Sequence, residues 1–308
     1  MSVRDCEEPG CEEVDLRAVM QVITPHEKDL GGFTVRRVLP ALTRPRVGPF
    51  IFFDHMGPSQ FDQGHGIDVR PHPHIGLSTL TYLFEGEIMH RDSLGVVQPI
   101  QPHAVNWMTA GRGIVHSERT PDALRASGST LHGLQIWIAL PDGHEEIDPG
   151  FVHHPAGSLP AFKRDDSELT VIAGEAWGQR SPVSTYSPLF YVHVEADAGA
   201  ILDVPKMLDV PNCERAVYLV EGEIRVAGAS FGSHRMVTLA PDADIQLEVT
   251  RRSTLVMLGG EPLASDRIVW WNFCARTEAR LEQARRDWAE GRFDPVPGET
   301  EFIPLPAR

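Results

Sequence analysis

Cysteine and basic side chains are scarce in this chain of 308 residues. It contains four cysteines, too few and too scattered to predict a disulfide framework, so a reducing, cytoplasmic compartment is expected. Lys and Arg together number 28 against 43 Asp and Glu, which gives a net charge of −15. Because no basic excess is available to neutralise phosphates, we expect no direct binding to nucleic acid, whereas a protein partner stays open.

Long apolar segments are also absent. No apolar run reaches the length of a membrane span, so no membrane insertion is expected. The stretch from Met1 to Val14 lacks the apolar core of a signal peptide, and residues 1–17 are predicted to form a flexible acidic tail. Cys6 and Cys11 lie in this tail, but no second Cys or His pair follows at the spacing of a small metal knuckle.

Short apolar runs separated by 27 glycines and 25 prolines occupy most of the chain. Their length, and the polar–apolar alternation of many of them, are typical of β-strands bounded by turns. The predicted strands are Phe33–Leu39, Phe50–Phe53, Ser78–Phe84, Leu134–Leu140, Thr170–Ala173, Leu189–Val194, Arg215–Val220, Met236–Leu239 and Ser253–Leu258. One helix is predicted over Thr277–Arg292, with Thr277 as N-cap and Gly291 as C-cap, because Leu281, Ala284 and Trp288 share one face.

A short internal repeat divides the chain. The segment Tyr82–Ile88 recurs, with one substitution, as Tyr218–Ile224, at a distance that corresponds to one β-barrel domain. The Glu-Gly-Glu triplet in each copy is predicted to form a tight hairpin turn, with glycine supplying a positive φ. The repeat therefore predicts two stacked β-barrels of similar topology, which we place at residues 18–145 and 146–308.

Two couplets of metal-ligand residues mark the first of these barrels. His72 and His74 form one couplet, and His116 and Glu118 form the other. Residues two apart on a strand project from the same face, so two neighbouring strands could surround one metal ion with these four side chains. Three imidazoles and a carboxylate that leave positions open are typical of non-haem iron sites, although copper, nickel, manganese or zinc would also fit.

The second barrel offers no matching ligands. When the interval between the two repeat copies is added to the couplets, it reaches Leu208, Val210, Arg252 and Thr254. None of these residues forms a comparable ligand set, so the metal site is predicted in the N-terminal barrel alone.

Longer motifs around the couplets resemble those of the pirin family of the cupin superfamily. The motifs are Gly48–Pro58, Arg70–Gly76, Tyr82–Glu87 together with His90–Ser93, Trp107–Glu118, Leu258–Pro262 and Trp270–Phe273. The resemblance extends over roughly residues 18–305, and it implies an all-β bicupin fold: two stacked cupin-type β-barrels with a short C-terminal helix.

The resemblance also implies a function. The metal ligands of the family fall on His72, His74, His116 and Glu118, and the usual metal is Fe(II). Some bacterial members resemble quercetin 2,3-dioxygenases, which open a flavonol ring with O2 and release carbon monoxide, and Glu118 would then serve as catalytic base. Other members act as redox-sensing regulators that bind a protein partner without turnover. An open, substrate-sized cavity beside the metal would favour the enzyme.

Two positions depart from the family pattern. Ser78 stands where many pirins carry a glutamate, and His103 replaces the glycine of a Pro-Gly-Asp turn. We expect His103 to be a surface residue at a less tight turn.

The remaining polar and aromatic candidates have simpler expected roles. The run His90-Arg91-Asp92 is predicted to form a solvated turn. Barrel core is favoured over pocket lining for a set of large apolar side chains, Phe52, Phe53, Trp107 and Met108. His55 is expected near the mouth of the pocket.

Overall fold

The computed structural model describes residues 18–30, 32–42 and 44–306, and these are mostly β-strand. The predicted acidic tail at residues 1–17 lies outside the described residues. The strands up to residue 154 are β1 (Val19–Ile23), β2 (His26–Asp29), β3 (Thr34–Leu39), β4 (Phe50–Phe61), β5 (Asp68–His74), β6 (Leu77–Glu85), β7 (Ile88–Asp92), β8 (Val97–Ile100), β9 (Val105–Thr109), β10 (Ile114–Arg119), β11 (Ser129–Ala139) and β12 (Gly150–His154).

The second half continues in the same way. Its strands are β13 (Ala161–Arg164), β14 (Ser167–Ala176), β15 (Gln179–Arg180), β16 (Leu189–Ala196), β17 (Ile201–Asp203), β18 (Glu214–Val226), β19 (Ala229–Gly232), β20 (Arg235–Leu239), β21 (Gln246–Gly260), β22 (Ile268–Trp270) and β23 (Phe273–Ala275). The helices are α1 (Asp122–Ser127) and α2 (Glu278–Ala289), with a short 3-10 turn at Ala156–Ser158. Each predicted strand coincides with an observed one to within a residue at the predicted ends or lies inside it.

The predicted helix is α2. Its N-cap is Thr277, whose side-chain oxygen accepts a hydrogen bond from the backbone N–H of Arg280 at 3.2 Å. The C-cap is Glu290, and Gly291 follows it with a φ of 68°. Leu281 is buried in a small cluster against the β22–β23 hairpin. Among the described helices, none is long and apolar enough to cross a membrane.

Two barrels stack through a shared core, as predicted. In the first barrel, the sheet β12-β9-β6-β11-β4-β3-β2 packs against the sheet β5-β10-β7-β8. In the second barrel, the main sheet runs β1-β20-β18-β21-β16-β14-β13. A single cluster of buried side chains joins the two, with Phe53 and Tyr82 of the first barrel packing together with Tyr191 and Tyr218 of the second.

Strands are exchanged near the ends of each half. Strand β1 precedes the first barrel in the chain but pairs with β20 of the second barrel. Strand β12 follows the first barrel and pairs back onto β9. The division of the chain at residues 145 and 146 stays a prediction.

The hairpin predicted at each Glu-Gly-Glu triplet is wrong. Strands β6 and β7 do not pair with each other, and β18 continues through Gly222 as one bulged strand. Gly86 and Gly222 have φ values of 88° and 102°, and both lie against the backbone of the neighbouring strand. These glycines therefore bend a continuing chain where it passes from one set of partner strands to another.

Strand pairing identifies the residue of the second barrel that is equivalent to Glu118. Val226 takes the place of His90 in the repeat, and it pairs with Leu247 as His90 pairs with Glu118. Leu247 is fully buried in the apolar core of the second barrel. Adding the interval between the repeat copies to Glu118 gave Thr254 instead. That residue is not the structural equivalent, because the loops between the strands differ in length in the two barrels. The second barrel still offers no ligand at this position.

Candidate metal centre

The two ligand couplets lie on neighbouring antiparallel strands. His72 and His74 end β5, His116 lies in β10, and His72 is directly opposite His116 in the pairing register. The register shifts between His116 and Glu118, so that Glu118 lies opposite Val69. The extra residue lies in β5, because β10 pairs with β7 in regular register from His116 to Arg119. His116 and Glu118 therefore keep the i, i+2 spacing of a regular strand.

Three imidazoles converge at this place. One ring nitrogen of each of His72, His74 and His116 lies within 4.8 Å of those of the other two, and all three residues are buried. Nε2 of His74 is 3.1 Å from Nε2 of His116. Among the described residues, this is the one group of three or more His, Cys, Asp or Glu side chains close enough to hold a metal ion.

Burial keeps these imidazoles neutral. It lowers the pKa of His72 to about 4 and holds the pKa of His74 and His116 well below the usual histidine value. Neutral imidazole is the form that binds metal through a ring lone pair. Nδ1 of His72 is 2.9 Å from the carbonyl oxygen of Arg70, and Nδ1 of His74 is 3.1 Å from that of Asn272. When these Nδ1–H groups donate to the carbonyls, each Nε2 keeps its lone pair for a metal.

Glu118 lines the same cavity but stands apart from the tight group of nitrogens. Burial raises the pKa of its carboxyl. Its one side-chain hydrogen-bond contact is long, with the hydroxyl of Thr81 donating to Oε1 at 3.5 Å. The weakly held carboxylate is therefore free to engage a metal or a substrate proton, and both roles stay predictions.

The imidazoles form part of the wall of a cavity of about 450 Å³ inside the first barrel. The ring of Phe52 stacks on Trp137 at a centroid distance of 3.9 Å, and Trp137 meets His74 edge-on at 5.0 Å. The guanidinium of Arg37 lies over the Phe52 ring, 4.4 Å from its centroid. It donates hydrogen bonds to both carboxylate oxygens of Asp54. The cavity thus has an aromatic wall that reaches His74, one of the predicted metal ligands.

The C-terminal segment, residues 261–306, contributes the remaining part of the cavity wall. Trp271, Asn272 and Ile303 all contribute to its lining, although they follow the second barrel in the chain. The backbone N–H of Ile303 donates to the carbonyl of Pro71 at 2.8 Å. Sequence reasoning missed this contribution. The available signal was the motif around residues 270–273, whose resemblance to the family extends beyond the barrels.

The acidic side chain of Glu299 fastens this segment to β10. Its carboxylate accepts hydrogen bonds from the hydroxyl of Ser117 at 2.9 Å and from the guanidinium of Arg119 at 3.0 and 2.7 Å. Both partners lie next to Glu118 in the chain. The segment is therefore attached to the strand that carries two of the predicted ligands.

Two other expectations are wrong. The run from His90 to Asp92 is not a solvated turn, because both of these side chains are buried in β7 beside His116. His55 is not at the pocket mouth: it is buried between the barrels, where Nδ1 lies 2.8 Å from the hydroxyl of Tyr218.

The aromatic and departing positions divide as follows. Phe52 lines the cavity, whereas Phe53 and Trp107 belong to the core between the barrels. Met108 is likewise a core residue. His103 is exposed, as predicted, with a φ of 62°.

Neither Ser78 nor a larger groove on the second barrel belongs to the group of predicted ligands. Ser78 is buried and donates a hydrogen bond to Thr109 at 3.2 Å. A groove of about 1380 Å³ on the second barrel contains none of the predicted ligands. Of these two cavities, the one of about 450 Å³ contains the residues that could hold a metal ion.

Comparison with known proteins gives a consistent result. Family models described as Pirin and as Pirin C-terminal cupin domain match residues 32–138 and 191–294. A Pirin-like protein of Caulobacter vibrioides is 49% identical, over 92% of this chain and 98% of its own length. A crystal structure of quercetin 2,3-dioxygenase from Acinetobacter baumannii shares 37% identity and a TM-score of 0.87, over 94% of this chain and 96% of that one. A bacterial pirin from Escherichia coli, solved in complex with nickel(II), has a TM-score of 0.61 at 17% identity, over 79% of this chain and 99% of that one, and shows a likeness of fold.

Proposed function

This chain belongs to the pirin family, and from that premise we propose that it is a metal-dependent dioxygenase that opens the ring of a flavonol such as quercetin with O2. The observation that carries the proposal is the convergence of three buried, neutral imidazoles on the wall of a cavity of about 450 Å³. Cavities of this size, with an apolar lining and a few polar groups, are typical of small-molecule sites.

The donor set fits a divalent metal ion. His72, His74 and His116 would hold it through Nε2, and Glu118 would supply a carboxylate oxygen. Three nitrogen donors and one oxygen donor with positions left open suit Fe(II), which we propose as the metal, and they would also accept nickel, copper, manganese or zinc. The nickel bound to the E. coli pirin agrees with such a range.

The protein side chains have separate tasks. A divalent metal supplies a Lewis acid that lowers the pKa of a bound substrate hydroxyl and, if redox-active, a centre for chemistry with O2. Glu118 accepts the proton of that hydroxyl at a carboxylate oxygen, a task that its raised pKa favours because a stronger base binds the proton more firmly. The electron-rich flavonol anion then reacts with O2, and ring opening releases carbon monoxide.

The cavity wall positions the planar substrate. Phe52 and Trp137 form a nearly parallel stack, with an interplanar angle of 11°, and a flavonol ring would pack against the same aromatic surface. Trp271, from the C-terminal segment, borders the cavity and would help to exclude water from the reacting atoms.

Anaerobic loading with Fe(II), followed by O2 uptake and carbon monoxide detection with quercetin, tests the proposal. We expect carbon monoxide to appear in step with O2 consumption. The variant His74→Ala should lose both bound iron and activity, whereas His65→Ala, a change at an exposed histidine outside the cavity, should keep both.

The alternative function is a redox-sensing protein that binds a partner without turnover. A cavity beside the imidazoles favours the enzyme, because a regulator that acts through its outer surface needs no room for a substrate. Stoichiometric iron without O2 uptake, for quercetin and for related enolisable aromatics, would contradict the dioxygenase and transfer support to the regulator.

A further inference from the structure

We propose that Asp92 and His90 are positioning residues that hold His116 in the tautomer able to bind a metal. The proposal rests on the metal site proposed above. It assigns a task to two side chains outside the ligand set. The surrounding strands bring them together in a dry part of the first barrel, where Asp92, His90 and His116 are all at most 2% exposed.

A row of polar atoms connects these residues. Oδ2 of Asp92 is 3.1 Å from Nε2 of His90, and Nδ1 of His90 is 3.4 Å from Nδ1 of His116. On the far side of its ring, Nε2 of His116 faces Nε2 of His74 at 3.1 Å. The row therefore starts at a carboxylate and ends among the nitrogens that converge on the metal position.

The carboxylate sets the direction of the hydrogen bonds. A carboxylate oxygen accepts, so in this arrangement Nε2–H of His90 donates to Oδ2 of Asp92, and a neutral His90 ring keeps its lone pair at Nδ1. That lone pair accepts from Nδ1–H of His116, which leaves the lone pair of His116 at Nε2.

His116 differs in this respect from the other two imidazoles. His72 and His74 each have a backbone carbonyl oxygen as the partner of Nδ1, and no substitution can remove it. His116 has a side chain instead. Its tautomer is therefore the one that depends on the identity of neighbouring residues, His90 and Asp92.

Both positioning residues are themselves held firmly. Oδ1 of Asp92 accepts hydrogen bonds from the backbone N–H groups of Leu94 and Val96, at 2.9 and 3.1 Å. The ring of His90 stacks on Phe151 at a centroid distance of 4.5 Å and an angle of 21°. These contacts fix which oxygen of Asp92 is available to His90, and they limit rotation of the His90 ring.

The variant Asp92→Asn tests the direction of the hydrogen bonds from residue 92 through His90 to His116, because asparagine has nearly the same shape as aspartate. The amide oxygen can still accept from Leu94 and Val96, so its NH2 group must turn toward His90. His90 then accepts at Nε2 and carries its proton on Nδ1, which leaves His116 protonated at Nε2, where a metal would bind. We expect the dissociation constant for Ni(II), measured by titration calorimetry, to rise by about 10–100-fold.

The tautomers can be observed without metal. Long-range 1H–15N correlation spectra of metal-free protein labelled at histidine distinguish Nδ1–H from Nε2–H rings. We expect His116 to carry its proton on Nδ1 in the parent protein and on Nε2 in Asp92→Asn. Identical His116 tautomers in the two proteins would overturn the proposal. So would a parent protein in which His116 already carries its proton on Nε2.

Two further variants complete the experiment. His90→Phe keeps an aromatic ring against Phe151 but removes the acceptor for His116, and the same loss of Ni(II) affinity is expected. Asp203→Asn makes the equivalent change at a carboxylate of the second barrel, which accepts from Arg164 and Gln246, and should leave Ni(II) binding unaltered. Unchanged affinity in Asp92→Asn would refute the positioning role alone. If the parent protein bound no metal, the proposed function would fail, and the tautomer spectra would still decide this inference.

Discussion

The hydroxyl of Tyr82, in the first barrel, lies 3.1 Å from Nδ1 of His193, in the second. The reverse contact also exists, because the hydroxyl of Tyr218 lies 2.8 Å from Nδ1 of His55. Strand pairing makes the two contacts equivalent: Tyr82 and His55 both flank the same residue, Leu134, as Tyr218 and His193 flank Val256. The tyrosine of each repeat copy therefore contacts a histidine of the other barrel, and the two contacts join the barrels symmetrically.

These contacts predict that acid destabilises the protein. Burial lowers the pKa of His55 to about 2 and that of His193 to about 3, against about 6.5 in an unfolded chain. Their stabilising contribution is thus complete above pH 6.5 and is lost as the pH falls toward 3, because the unfolded chain binds protons that the folded one refuses. Urea unfolding of metal-free protein between pH 8 and pH 4 measures this effect.

The variant His193→Asn isolates one of the two groups. The free energy of unfolding should then depend less steeply on pH below 6.5, by up to about 1.4 kcal/mol per pH unit. If the free energy of unfolding changed equally with pH in the parent and the variant, His193 would not contribute to the acid sensitivity. The buried imidazoles of the metal centre titrate in both proteins and cancel in the comparison.

Glu118→Gln should separate catalysis from metal binding. Glutamine keeps an oxygen donor but accepts no proton at neutral pH, so some metal should remain while turnover falls by about 100- to 10,000-fold. Iron content and carbon monoxide release are measured on the same sample. Full activity would remove Glu118 as the base. Glu87→Gln, at a partly exposed glutamate that accepts a hydrogen bond from Gln101, should behave as the parent protein does.

Phe52→Leu should weaken substrate binding more than chemistry. The change removes one ring of the aromatic surface against which a flavonol would pack, and ring–ring contacts contribute about 0.5–1.5 kcal/mol. We therefore expect KM for quercetin to rise by roughly 2- to 10-fold, with kcat much less affected. Phe231→Leu, in the second barrel, is the matched control, and an unchanged KM in Phe52→Leu would argue against an aromatic substrate on this wall.

Glu299→Ala should loosen the C-terminal segment over the cavity. Charged hydrogen bonds contribute about 1.5–3 kcal/mol where they are well buried, and the partly exposed pair with Arg119 should give the lower part of that range. Hydrogen exchange should increase around residue 303 and around β5. A double-mutant cycle with Arg119→Ala isolates the pair, and additive effects would mean that it does not fasten the segment.

The strands, the helix α2 and the histidines of the ligand couplets were accessible from sequence because they depend on local patterns. Alternation marks strands, and His72 and His74 are adjacent in space because they are adjacent in the chain. His90 and Asp92 were misjudged for the opposite reason. A charged run is usually solvated, and only the pairing of β7 with β10 shows that these residues face His116 in a dry interior.

The hairpin at Gly86 failed on a related point. Glycine with positive φ suits a tight turn and a bend in a strand equally well, so the local sequence could not choose between them. The partners of β6 and β7 decide the matter, and they come from distant parts of the chain. The carbonyl of Asn272 was invisible for the same reason, since a backbone group carries no residue-specific signal.

That carbonyl sets an order of events during synthesis. His74 donates to Asn272, which lies 198 residues later in the chain. At about 5–20 residues per second, the ribosome takes roughly 10–40 s to reach that partner after the ligand strand has been made. The first barrel therefore lacks the acceptor for Nδ1 of His74 until nearly the whole chain has been made.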